Sequence, residues 1–249
     1  MSNVLFDGKT VLVTGAGGGI GRSIAVAFAR QGANLLLVGR RESELEASAH
    51  AARKEGGRAC SFVIDITHEA SVAGLFSQID RVDVAVNAAG TIVSGAIDEM
   101  KEEAFRQVFS VNTLGLWLSM KHEIRKMKPK GCGVIVNIGS NVGAKLVRAS
   151  MGAYAASKAA VSSLNRTAAL EALPYGIRVN CICPGPVDTP MSLRPGEDRA
   201  ARAERIAATN PSKRVARPDE IAETAIWLAS DAAAYVIGQD IVIDGGASV

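Results

Sequence analysis

Residues Thr10 to Gly21 read T-V-L-V-T-G-A-G-G-G-I-G, and this stretch decides the fold. Val11, Leu12 and Val13 make a short β-branched and Leu run of the kind that builds a buried strand. Glycines follow at once. From Ile20 to Gln31 the spacing turns helical, with Ile24, Ala25, Phe28 and Ala29 on one face. Strand, glycine loop and helix open a nucleotide-binding βαβ unit, because such a loop delivers backbone N–H groups and a helix N-terminus to a phosphate. A side chain there would hold a pyrophosphate off, whereas glycine lets the backbone approach.

The glycines fall at Gly15, Gly19 and Gly21, which is T-G-x-x-x-G-x-G and not G-x-G-x-x-G. That spacing resembles the short-chain dehydrogenase/reductase family. Gly15 is assigned to the tight turn, Gly19 to close approach of a phosphate with Ile20 beside it, and Gly21 to helix–strand packing. A ligand-free glycine turn is the alternative, and the strand before and amphipathic helix after weigh against it. Phosphoryl transfer would want G-x-x-x-x-G-K-[ST], but Arg22 and Ser23 follow Gly21 and supply no lysine.

The 249 residues are 48% hydrophobic and 21% charged, an ordinary globular balance with length for a large core. No apolar run approaches the ~20 residues of a membrane span. Met1 to Lys9 lacks a charged start followed by an apolar stretch, so a cytoplasmic location is expected. The net charge of +3 is small and unclustered, which argues against a nucleic-acid partner. The cysteines are Cys60, Cys132, Cys181 and Cys183, with no C-x-x-C and no His at metal spacing. Core thiols are expected and no metal.

Along the chain, strands are predicted at Asn34 to Val38, Ala59 to Ile64, Val82 to Val86, Gly133 to Ile138, Ile177 to Cys183 and Gln239 to Ile243. Helices are predicted at Ser43 to Glu55, Ser71 to Asp80, Asp98 through Phe109, Asn112 to Met127, Gly152 to Ala172 and Pro218 to Ser230. Asp98 reads as an N-cap. Strands and helices alternate with no repeat and no long linker, so residues 1–249 are predicted to form one doubly wound Rossmann-type α/β domain with a seven-stranded parallel sheet. The charged, Ala-rich stretch within residues 188–213 reads as a mobile helical flap.

The second strand ends in Gly39-Arg40-Arg41. An acidic residue there would bond the 2′-hydroxyl of NAD. Gly39 stands where the family's NAD-type members carry Asp, and Arg40 suits a 2′-phosphate, so NADP(H) is favoured with NAD(H) possible. Family members of NADP type often add a basic residue in the glycine loop, where this chain has Gly18. The resemblance further implies that Asp65 and Ile66 meet the adenine, although Asp65 also reads as a helix-start residue. It implies that Asn87-Ala88-Ala89-Gly90 lets the cofactor lie across the sheet edge, through Asn87, Ala89 and Gly90; the commoner form has Asn in place of Ala88. The stretch from Pro184 to Pro190, P-G-P-V-D-T-P, also belongs to the resemblance, with Pro184, Gly185, Val187 and Thr189 as cofactor contacts.

Tyr154-Ala-Ala-Ser-Lys158 sets a phenol and an ammonium four apart, on one face of a helix. A phenol ionises near pH ~10, and a nearby cation lowers that value, which makes it a usable acid–base group. Ser140 ends the fifth strand, where ligands bind in such folds, and can polarise a carbonyl. By resemblance, Lys158 also binds the nicotinamide ribose, and Asn112 holds a water that links Lys158 to solvent. Ser140 and Tyr154 lie one residue further apart than in many members, and the surplus falls in the loop Ala144 to Met151.

These readings converge on an oxidoreductase that interconverts a ketone and a secondary alcohol with a nicotinamide cofactor. A catalytically silent nucleotide-binding module is the contrasting reading, and the presence of Ser140, Tyr154 and Lys158 together weighs against it. Overall similarity to the family's 3-oxoacyl thioester reductases implies such a thioester on a carrier protein as the leading substrate, with a sugar, polyol or cyclic ketone as the alternative. Leu116, Met120 and Ile124 form one stripe of Asn112 to Met127, and Trp117 lies off it. That surplus, with the Tyr154 helix, resembles the helix pair through which family members form homodimers and homotetramers.

Overall fold

Parallel strands covered on both faces need near-continuous apolar runs, and alternating crossover helices need one apolar stripe each. The computed structural model describes residues 4–249 and shows both arranged in one sheet. The strands are β1 (Thr10–Thr14), β2 (Asn34–Gly39), β3 (Arg58–Val63), β4 (Val84–Asn87), β5 (Gly133–Ile138), β6 (Ile177–Pro184) and β7 (Asp240–Ile243). The helices are α1 (Gly19–Arg30), α2 (Glu42–Lys54), α3 (Glu69–Gln78), α4 (Glu102–Phe109), α5 (Leu116–Met127), α6 (Gly152–Ala172), α7 (Arg199–Thr209) and α8 (Pro218–Ala229). Sheet order is β3-β2-β1-β4-β5-β6-β7, all parallel. The winding direction reverses between β1 and β4, and the crevice beyond their carboxyl ends is where such sheets bind ligands.

Each face of the sheet has its own core. Val11 and Val13 of β1 point to the layer holding Ile24, Phe28, Leu45 and Leu228, while Leu12 points to the layer holding Phe76, Leu118, Met127 and Val161. This is the two-residue alternation of a strand buried on both sides. Among the described residues no helix is long and apolar enough to cross a membrane.

Several local expectations are corrected. Asp98 is not an N-cap: residues 96–100 close a turn on the Ala96 carbonyl, and α4 starts only at Glu102 behind Lys101. Asn112 does not start a helix. It lies inside a π-helical turn, Ser110–Gly115, that joins α4 to α5. A side chain at Gly115 would place its Cβ 2.8 Å from Ile66, so the turn packs closely there. Asp65 does not begin a helix either; its Oδ1 accepts from Thr67 N and Thr67 Oγ1, and α3 follows from Glu69. Cys181 and Cys183 are buried, but Cys60, on edge strand β3, and Cys132, before β5, are exposed and not core thiols.

Candidate active site

The glycine loop is shaped by what it excludes. Gly15 has φ +67°, and a Cβ there would lie 2.6 Å from the Ala89 backbone at the end of β4. Only glycine combines that left-handed turn with that approach. Gly21 packs against the turn itself, with its Cβ position 2.3 Å from the Gly15 carbonyl oxygen. Gly19, φ +52°, faces Thr189, whose Cγ2 is 3.1 Å from the Cβ position. Helix α1 starts after Gly18 with no side-chain cap, so its first-turn amides remain available to an anion. Ile20 is partly buried behind them.

Around this loop the strand ends supply the remaining candidates. Arg40 is exposed and carries no ion pair among the described residues, whereas Arg41 holds Glu44 at 2.5 Å. At Asp65 burial pushes the carboxyl up, but the Thr67 hydrogen bonds and the Arg40 charge outweigh it and hold it below its usual value. Asn87 turns its side chain into the core: Nδ2 donates to Glu123 Oε2 at 3.0 Å and to Asn137 Oδ1 at 3.1 Å. It can therefore meet a ligand in the crevice only through its backbone. The backbone N–H of Ala89 points to Thr14 Oγ1 at 3.4 Å. Pro184 ends β6; Gly185 packs on Asp244, and Val187 forms a parallel bridge with Ala216.

The four catalytic candidates meet at one spot. Asn112 is fully buried, with Oδ1 accepting from Thr91 N and Nδ2 donating to Thr91 O and Ser157 Oγ. A Cβ on Gly90 would lie 3.5 Å from Asn112 Oδ1 and 3.6 Å from Lys158 Nζ, so the three share one small space. Lys158 Nζ donates to the Ile138 carbonyl at 2.8 Å. Ser140 Oγ accepts from Val142 N, which fixes the bend after β5.

The electrostatics differ from expectation in one respect. The Tyr154 phenol is governed by burial, with the Lys158 ammonium bonded to the Ile138 carbonyl instead. Burial raises the phenol, and the Ser140 hydroxyl opposes it only in part. Lys158 Nζ lies 6.0 Å from the Tyr154 ring centroid and is aimed at Ile138. Its own pKa is pushed down to about 8 by burial. Water has been removed from both groups, and no carboxylate replaces it.

A family profile described as enoyl-(acyl carrier protein) reductase matches residues 15–248. The chain belongs to the short-chain dehydrogenase/reductase family. It is 38% identical over 247 residues to the cis-4-hydroxycyclohexanecarboxylate dehydrogenase of Sinomonas cyclohexanicum, covering 97% of each chain. Among solved structures, a gluconate 5-dehydrogenase from Burkholderia cenocepacia J2315, in complex with NADP and tartrate, superposes with a TM-score of 0.91 at 30% identity, covering 98% of this chain and 97% of that one. NAD+-bound xylitol dehydrogenase gives 0.90 at 30% identity, with 97% and 99% covered. The protein is thus an oxidoreductase of alcohol and ketone substrates that uses a nicotinamide cofactor.

The short-chain dehydrogenase/reductase site also contains polar groups that the motifs did not announce. Asp244 Oδ2 accepts from Asn141 Nδ2 at 3.2 Å, and its carbonyl accepts from Asn210 Nδ2 at 2.8 Å. The residue after Ser140 is thereby tied to the chain end and to the segment after α7. The sequence signal was Asp244-Gly245-Gly246, whose glycines have φ +65° and +85°.

Proposed function

We propose that Tyr154, Ser140, Lys158 and Asn112 carry out reduction of a ketone to a secondary alcohol, and its reverse, with NADP(H) preferred. The observation that carries this reading is the buried cluster of Ser140, Tyr154, Lys158 and Asn112 beside the sheet's switch point. A bound reduced nicotinamide would supply the hydride. The glycine loop and the uncapped N-terminus of α1 would hold its pyrophosphate, Arg40 a 2′-phosphate, Asp65 and Ile66 the adenine end, and Val187 to Thr189 the nicotinamide end. The cradle fits: Gly18 leaves open space before α1, and Gly90 leaves free the room between Asn112 and Lys158 that a side chain would fill.

As negative charge develops on the carbonyl oxygen, Tyr154 gives up its O–H proton to it, and Ser140 donates a hydrogen bond to the same atom. The raised phenol pKa keeps that proton in place at neutral pH. Lys158 stabilises the phenolate left behind once its ammonium turns from the Ile138 carbonyl toward Tyr154, and the space it shares with Asn112 and Gly90 suits a returning proton. The segment 188–213 acts as a flap over the site, with α7 as its body.

For substrate, a 3-oxoacyl thioester stands first. A compact cyclic ketone is the second reading, supported by a mainly apolar cavity of about 390 Å³ between α4 and the start of α6, lined by Ile97, Met100, Phe105 and Ala153 with Glu102 as its one charged residue. Assembly as a dimer or tetramer would use the run Asn112 to Met127 together with α6, where Leu114, Trp117 and Leu170 are exposed. The test is a panel of 3-oxoacyl thioester, cyclic ketone and keto-sugar substrates with NADPH and NADH. Turnover of at least one ketone, faster with NADPH, is expected; no turnover of any, with either cofactor, would refute the function.

A further inference from the structure

Long cations are rarely buried on the inner face of a short surface helix, because a guanidinium out of water must be paired and hydrogen-bonded. Arg202 is such a case. It lies on α7 with Ile206 one turn later; Arg202 is 4% exposed and Ile206 3%. Its fork is directed at one place. Nη2 donates to Asp188 Oδ1 at 2.6 Å, and Nη1 donates to Ser192 Oγ at 2.9 Å and to the Thr189 carbonyl at 3.3 Å. All three acceptors lie in residues 188–192, the stretch that leaves β6. The middle one, Thr189, is also the residue whose methyl group faces Gly19 in the glycine loop. The guanidinium therefore connects the flap helix to the wall of the cofactor crevice through a single intervening residue.

The neighbouring arginine supplies a contrast. Arg205 pairs with both carboxylate oxygens of Glu197 and donates to the Ser192 carbonyl, but touches neither Asp188 nor Thr189. It staples the flap to itself. At its far end the flap is held by Asn210 on Asp244 and by Ser212 N on the Gly245 carbonyl. Removal of Arg202 would leave that anchor, the Asp188 N bond to the Ala216 carbonyl and the Arg205 bond to Ser192 intact, and would free the Asp188 carboxylate, the Thr189 carbonyl and the Ser192 hydroxyl.

We propose that Arg202 is a positioning residue that latches residues 188–192 against the glycine loop, so that the cofactor crevice is already shaped before cofactor enters. This rests on the reading that Val187 to Thr189 border the cofactor. A preformed wall lowers the ordering cost of binding, so loss of the latch acts on cofactor affinity more than on the chemical step.

The experiment measures NADPH and NADH dissociation constants by fluorescence titration, kinetics at saturating cofactor, and amide hydrogen exchange for Arg202→Ala, Arg202→Lys and Arg205→Ala. Arg202→Ala should weaken both cofactors by about 10-fold or more, with kcat at saturation changed by less than KM for cofactor. Exchange should rise across 188–206 and stay unchanged in β1, β4 and β5. Arg202→Lys, which can keep one ion pair but not the fork, should fall between wild type and Ala, and Arg205→Ala should stay within about 2-fold of wild-type affinity. Unchanged affinity in Arg202→Ala would overturn the latch, as would an equal loss in Arg205→Ala. Should Arg202→Ala fail to fold, Asp188→Asn removes the same ion pair from its more exposed end and must weaken cofactor in the same way, or the latch is refuted. Wild-type protein that binds neither cofactor would overturn the functional reading and the latch together, whereas tight wild-type binding that Arg202→Ala retains would overturn the latch alone.

Discussion

Glu123 is the residue whose chemistry departs furthest from its sequence appearance. It is fully buried on α5; Oε2 accepts from Asn87, and Oε1 has no partner among the described residues. Burial pushes its pKa up from 4.5 to about 8, so the folded protein keeps it neutral at pH 7. The unfolded chain ionises this group above its lower value while the fold does not. Its contribution to stability is therefore fully present below pH 4.5, is lost progressively as pH rises to about 8, and is then level. The loss is on the order of a few kcal/mol. Glu123→Gln, which can still accept from Asn87, should flatten this window: its melting temperature should exceed that of wild type at pH 8 by more than at pH 5. Equal differences at the two pH values would show that Glu123 does not titrate in this way. The sequence hid this residue because an acidic side chain reads as solvated by type, although three positions after Met120 it shares the apolar face. The Asn87 amide that donates to it comes from β4, 36 positions away in the chain, and is itself held by Asn137 of β5. The placement of Tyr154, Lys158 and Ser140 was legible for the opposite reason: it depends on local spacing and on a strand end.

At the scale of elements, the proposed NADP(H) preference is tested at the junction of β2 with α2. Gly39 ends β2, and a Cβ there would lie 3.2 Å from Leu45 Cδ2, the tip of a flexible side chain. An Asp at 39 is therefore accommodated. Catalytic efficiency should favour NADPH in the wild type, and Gly39→Asp with Arg40→Ala should reverse the ratio through an acceptor for the 2′-hydroxyl and loss of the phosphate's cation. Wild-type efficiency higher with NADH would refute the reading of this strand end. Gly21 offers no such tolerance, because its clash is with backbone: Gly21→Ala should give little folded protein or lose cofactor binding, by circular dichroism and fluorescence titration. Strands were legible as apolar runs, and β1, α1 and α6 as regular periods. The π-helical turn at Ser110–Gly115 and the turn before α4 were not. A single shifted hydrogen bond leaves little trace in the apolar period, and the Asp98 side chain looks the same in a turn as at a cap.

For the whole molecule, alternation of strand and helix with right-handed crossovers leaves few topologies, and the parallel sheet with its switch point between β1 and β4 follows from that alternation. Long-range polar ties such as Asn141–Asp244 were outside the reach of local patterns, since 103 positions separate the partners. The exposed Leu114, Trp117 and Leu170 give an assembly prediction: sedimentation should show a dimer or tetramer, and Trp117→Glu should shift it toward monomer. A wild-type monomer would refute this. The central claim is that Tyr154 gives the proton that completes ketone reduction. Its most direct test is kcat and NADPH affinity measured side by side for Tyr154→Phe, which keeps the ring and removes only the acidic proton. The account predicts a loss of at least ~10²-fold in kcat with NADPH affinity nearly unchanged. Turnover near that of the wild type would contradict it, even with fold and cofactor as described.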